Sequence, residues 1–156
     1  MIDSRQKANS KPELMAPAGN KTMLTAVVKA GADAVYFGVE KLNMRAKASN
    51  FESDNLPELT SYCKENNVRT YLTLNTIIYE EELDQLRDII LKAKEAGVDR
   101  IICWDFSVVQ LCKEAGMPFC ISTQGSVSNS LAANFYKEMG AERIVLAREC
   151  SLETDP

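Results

Sequence analysis

The chain reads as a serial βα protein with largely parallel strands. Three observations say so. One phrase recurs, in the copies that run from Gly31 to Gly38, Gly97 to Asp105, Gly116 to Gln124 and Gly140 to Arg148, with a fifth from Asn67 to Asn75. Each glycine copy follows an amphipathic segment that ends in Lys-Ala-Gly, Glu-Ala-Gly or Glu-Met-Gly. After each stop comes a polar residue or Pro, then a short, mostly apolar run without alternation. Gly or Asn closes a helix because it accepts the left-handed conformation at little cost. An unbroken apolar run is the mark of a strand buried on both faces, as in a parallel sheet.

The elements follow in order. Residues 1–12 are polar and are expected to form a disordered N-terminal segment, leaving 13–156 as the folded domain. A first strand over 13–16 is broken by Pro17, and Asn20 caps a helix to about residue 30 with Met23, Leu24, Val27 and Val28 as its stripe. A second strand over 34–37 leads into a long polar loop, 39–54, and a helix over 56–65. The third strand covers 69–74, and its helix, 80–96, places Leu83, Leu86, Ile90 and Ala93 on one face. Glu80, Glu81 and Glu82 crowd the first turn of that helix, where its dipole favours them, so this acid run is a solvated cap. A fourth strand over 100–104, a helix over 106–115, a fifth strand over 119–122, a helix over 130–139 and a sixth strand over 143–147 complete the pattern. Ser151 begins what looks like the cap of a further helix.

Two architectures can hold about six parallel strands and five helices: a doubly wound sheet, or most of a (β/α)8 barrel cut after its sixth strand. Doubly wound sheets usually carry a phosphate loop after the first strand. Here that turn, 16–20, lacks the glycines of G-x-G-x-x-G and the Lys of a P-loop. The uniform strand ends favour a ring in which every strand reaches one mouth. A truncated (β/α)8 barrel is therefore the expected fold, with the doubly wound parallel sheet as the alternative; a whole barrel takes about 250 residues.

Eight residues after each stop stand Asn75, Asp105, Gln124 and Arg148, followed by Glu149. Parallel α/β folds place their sites at the carboxyl ends of the strands, so these residues are expected to share one mouth. Asn43 and Arg45 hang over it from the loop that also carries Lys41, Lys47 and Asn50, which reads as an anion clamp or as a solvated loop. Asp105 and Glu149 are the candidates for proton transfer. Glu13 begins a short strand and is expected to face the interior, where Arg148 is a plausible partner.

Composition narrows the chemistry. The chain has 156 residues, 46% hydrophobic and 26% charged, with a net charge of −4, the profile of one ordinary globular domain. A sequence pI near 5.0 argues against a generally basic surface. No apolar run approaches a membrane span, and the N-terminus has no signal-peptide core, so a cytoplasmic protein is expected. There is no histidine, which rules out a Ser-His-Asp or Cys-His arrangement and the usual imidazole zinc sites within this chain. The five cysteines, Cys63, Cys103, Cys112, Cys120 and Cys150, form no Cys-x-x-Cys pair. They read as reduced structural thiols and not as metal ligands; only Cys150, just after Glu149, could look into a site.

Several segments, 13–19, 33–38, 42–46, 71–76, 122–124 and 145–149, occur in an order and spacing that resemble the N-terminal region of the collagenase-like peptidases, peptidase family U32. The resemblance runs over 13–152. It implies a barrel, and relatives that are either named as proteases or hydroxylate a pyrimidine in transfer or ribosomal RNA. Others act in ubiquinone hydroxylation. The hydroxylating members are associated with an iron–sulfur cluster, and some draw on prephenate. The family's acidic, Gly and Cys signature lies beyond the sixth strand and is missing here, so no cofactor is expected in this fragment and none of its cysteines inherits cluster binding. Relatives often carry Gln-Asp at the end of the fourth strand, where this chain has Trp104-Asp105; Trp104 either packs or stacks on a base. The resemblance thus implies an N-terminal barrel fragment of an RNA-modifying protein, with RNA or a small prephenate-like anion as partner. A protease and a non-catalytic binding module are the alternatives. The fragment alone is expected to lack a complete catalytic cycle and to self-associate through exposed barrel edges.

Overall fold

The computed structural model describes residues 12–39, 42 and 51–151. The expected disordered segment, apart from Pro12, lies outside the described residues. So do Lys41, Asn43, Arg45, Lys47 and Asn50 of the anion-clamp loop and the continuation past Ser151. Six strands, β1 (Met15–Pro17), β2 (Ala34–Phe37), β3 (Arg69–Leu74), β4 (Arg100–Cys103), β5 (Phe119–Ile121) and β6 (Arg143–Ile144), alternate with five α-helices. These are α1 (Lys21–Lys29), α2 (Leu56–Glu65), α3 (Leu83–Ala96), α4 (Phe106–Ala115) and α5 (Ser130–Glu138). The strands form one sheet in chain order, and every neighbouring pair is parallel. A doubly wound sheet reverses its strand order part-way; this one does not, and it is a half-barrel.

The helix ends follow the sequence signals. Asn20, Asp105 and Asn129 hold extended backbone and accept from the amides of Met23, Ser107 and Ala132, meeting donors that a first turn leaves orphaned. At the other end Gly97 adopts φ 81°, and the next amide, Val98 N–H, reaches back to the Ala93 carbonyl at 2.9 Å. Asn67 serves the same purpose at φ 57°. Three boundaries differ from expectation. Pro17 ends β1 without breaking it, because on an edge strand the missing N–H costs no ladder bond, and Ala18 N–H resumes pairing with the Tyr36 carbonyl at 3.0 Å. Glu80–Glu82 form a separate 3-10 turn before α3. β6 is two residues long, with Leu146 forming only an isolated bridge to Val127.

Strand alternation splits the core in two. Val35, Phe37, Leu72, Leu74, Ile101, Cys103, Phe119 and Ile121 face outward and pack with the inner stripes of the helices, among them Leu24, Leu59, Leu86, Ile90 and Val108. Ala34, Tyr71, Ile102 and Cys120 form a second cluster with Met15 and Tyr36 inside the curl of the sheet. At the amino end the interior is floored by charge instead. Glu13 accepts from Arg69 at 3.1 Å, from Arg143 at 2.5 Å and from the Tyr71 hydroxyl at 3.3 Å. Arg100 pairs with Glu142 at 2.7 Å, and the guanidinium carbons of Arg100 and Arg143 lie 5.7 and 5.5 Å from the Tyr71 ring centroid. Glu13 does face the interior, but its partners are Arg69 and Arg143 and not Arg148. Arg148 lies past the carboxyl end of β6, at the opposite end of the strands.

Candidate functional site at the carboxyl-end mouth

The pairing register shows how the repeat meets the mouth. Leu74 pairs with Cys103, Cys103 with Ile121, and Ile121 with Ile144. Continued outward, Asn75 stands beside Trp104, Asp105 beside Thr123, and Gln124 beside Ala147. Each repeat position therefore advances one residue per strand against the hydrogen-bonded register. Val39, eight residues after Gly31, obeys the same rule, because Phe37 pairs with Leu72 and the extension sets Val39 beside Leu74. One residue per strand is the stagger of an eight-stranded barrel with a shear of about eight. It keeps equivalent repeat positions at equal height around a ring.

The same stagger alternates their direction. Asn75 is in phase with inward Tyr71, and Gln124 with inward Cys120. Asp105 is in phase with outward Cys103, and Arg148 with Ile144. The side chain of Asp105 agrees: Oδ1 accepts from the Ser107 amide at 2.8 Å and its hydroxyl at 2.6 Å, while Oδ2 accepts from the Ile78 amide at 3.3 Å. Asp105 thus caps α4 and ties the β3–α3 loop to it. Gln124 lies in a 3-10 turn, Thr123–Gly125, and accepts from the Ser122 hydroxyl. Arg148 and Glu149 are exposed in the turn after β6. Asn43 and Arg45 fall outside the described residues.

Trp104, expected from sequence either to pack or to stack on a base, is the residue that β4 brings to the inner mouth. It is half-buried, and its indole N–H donates to the Asn75 carbonyl at 3.0 Å. Its signal lay in the inward phase set by Ile102, two residues earlier. Three large side chains beside it are exposed: Ile77 by 57% and Tyr79 by 60% on the loop after β3, and Phe106, the first residue of α4, by 59%.

Four of the five thiols, Cys63, Cys103, Cys112 and Cys120, are buried in the packing. Burial pushes Cys63 to about 11, Cys112 to about 12 and Cys120 to about 11, and Cys103 well above its ordinary value. Such groups stay protonated, whereas cluster ligation needs thiolates. Among the described residues no three His, Cys, Asp or Glu side chains could hold a metal ion. Among the described residues, therefore, no set of side chains fits an iron–sulfur cluster. No helix among the described residues is long and apolar enough to cross a membrane.

A sheet of six parallel strands in chain order with a helix after each of the first five defines a (β/α)8-type fold. Residues 19–154 match the profile of peptidase family U32, and the chain belongs to that family. It is 42% identical over 142 residues to a collagenase of Porphyromonas gingivalis, covering 90% of this chain and 34% of that protein. It is 35% identical over 153 residues to tRNA hydroxylation protein P1 of Bacillus subtilis, covering 97% and 36%. The chain thus spans about a third of the length of these curated relatives. A solved U32 peptidase superposes with a TM-score of 0.69 at 15% identity, covering 90% of this chain and 60% of its own, a likeness of fold.

Proposed function

We infer that this chain forms the substrate-holding part of a barrel that hydroxylates a pyrimidine in RNA. One observation carries the reading: among the described residues the mouth offers stacking and hydrogen-bonding groups and no hydroxyl paired with a base. The serine at the end of β5, Ser122, donates to the Gln124 amide, which is no base, and Thr123 is 3.4 Å from the Leu146 carbonyl. A hydrolase of the nucleophilic kind needs a base within reach of its hydroxyl or thiol. The likeness to a protein named for tRNA hydroxylation agrees with this.

In this reading Asn75 and Gln124 contact the edge of the base. Arg148, with Arg45 and Asn43 from the second loop, takes a phosphate or a carboxylate such as that of prephenate, since a guanidinium grips either by two bonds. Asp105 sets the shape of the rim, and Glu149 is the carboxylate placed to move a proton beside Arg148. The remaining chemistry falls to regions that the relatives carry outside the matched third, and the cluster of the hydroxylating members belongs there.

The test is a chimaera in which this chain replaces the matching region of the Bacillus subtilis relative, in cells lacking that relative. Mass spectrometry of transfer-RNA nucleosides should show hydroxylated pyrimidine restored, and Arg148→Ala should abolish it. A purified chimaera that cleaves gelatin and leaves the RNA unmodified would instead support the peptidase suggested by the relative named collagenase.

A further inference from the structure

We propose that Trp104, flanked on the rim by Tyr79 and Phe106, is the platform on which this chain stacks an unpaired pyrimidine base. The proposal rests on the RNA reading above and adds the residues that grip the ring. Trp104 follows β4 in the inward phase, and its one polar atom is already satisfied by the Asn75 carbonyl at 3.0 Å. That bond fixes the indole and leaves its faces to apolar contact. A ring held in place before binding loses little freedom when a base lies on it.

The surroundings fit the same occupant. Ile77, Tyr79 and Phe106 are each more than half exposed, on the loop after β3 and the first turn of α4, which Asp105 joins through Ile78 N–H and Ser107 N–H. Each Å² of such surface left in water forgoes about 25 cal/mol, so a cluster on one tied rim marks a surface built to be covered. In the pairing register Trp104 stands between Asn75 on one side and Ser122 on the other, with Gln124 just beyond. Unpaired bases are read by aromatic stacking together with hydrogen bonds to their edges. Glu80, Glu81 and Glu82, directly after Tyr79, repel a phosphate there. The sugar–phosphate chain therefore runs on the β6 side, where Arg148 is exposed.

Trp104 is the chain's single tryptophan, so its fluorescence reports on this ring alone. The purified chain is titrated with a short single-stranded oligouridylate and with an abasic strand of equal length. Anisotropy of a labelled strand measures binding in parallel. The oligouridylate should quench Trp104 emission and the abasic strand should not. Trp104→Phe should keep most of the affinity, while Trp104→Ala should weaken it about tenfold or more, since stacking is worth about 1–3 kcal/mol per base. Because Trp104 is half-buried, Tyr79→Ser/Phe106→Ser serves as a second variant at exposed positions. It should fold as wild type by circular dichroism and bind severalfold more weakly. Binding seen by anisotropy with Trp104 emission unchanged, and equal affinity in these variants, overturns the platform but leaves the RNA reading standing. Quenching by the abasic strand, or by a collagen-like peptide instead of RNA, overturns the platform too. Absence of RNA binding by either readout overturns both.

Discussion

At the scale of single residues, Glu13 is a buried charge held by two guanidinium groups and a hydroxyl. It is buried to 13% side-chain exposure and pairs with Arg69, also at 13%, and Arg143, at 33%. Removing one partner of a buried ion pair leaves the others desolvated and costs about 3–5 kcal/mol. Glu13→Ala should therefore lower stability by about 3 kcal/mol in denaturant titrations. Glu13→Gln should cost less, because the amide oxygen still accepts from Tyr71 and Arg69, although its NH2 then faces the Arg143 guanidinium. Equal losses for the two variants would show that packing and not charge holds the floor together. That Glu13 faces inward was legible from its place at the start of a short strand. Its partners were not, because the contact between Glu13 and Arg143 spans 130 residues and no local spacing encodes it. The place of Asn75 and Gln124 at the carboxyl ends of β3 and β5 was legible because the repeat and the inward phase coincide there. Asp105 and Arg148 share the repeat position, but the one-residue stagger turns them to the outward phase, and the stagger belongs to the curl of the sheet.

At the scale of elements, the boundaries read from sequence hold wherever a side chain or a glycine makes them. α2 and α4 begin and end where Pro57, Asp105, Gly116 and the residues beside them require. They fail where only the ladder decides, as at Pro17 and β6. Asp105 shows what one cap can do for two elements, since it holds the first turn of α4 and the Ile78 amide of the preceding loop. Replacing a capping Asp by Ala costs about 0.5–2 kcal/mol. Asp105→Ala should reach the upper part of that range because a second amide is released with the first. Hydrogen exchange should then quicken at both Ser107 and Ile78. If only Ser107 responds, the loop is held by Trp104 and Asn75 alone, and Asp105 has no part in shaping the rim. A catalytic Asp105 predicts the reverse balance: little change in stability and a large loss of turnover in the chimaera.

At the scale of the whole molecule, strand order decides more than any residue. A sheet in chain order curls toward closure, yet β1 and β6 are each paired on one side only among the described residues. The Glu13–Arg143 pair bridges them at the amino end alone. Beside β6, the outer surface keeps Leu131 exposed by 83%, Phe135 by 54% and Val145 by 43%. α5 has no fully buried residue, whereas α2, α3 and α4 each have several. Among the described residues no helix follows β6 to flank α5 as α4 flanks α3. An unpaired strand edge beside exposed apolar surface is a template for association. The 156-residue chain should therefore associate with itself as its concentration rises in sedimentation. Leu131→Lys/Phe135→Lys should shift it toward monomer without lowering its thermal midpoint, because neither side chain is buried in the monomer. A single monomeric species at high concentration in the unmodified chain would show that the open edge is already protected. The charged floor that joins β1 to β6 would then be the first place to look for that protection.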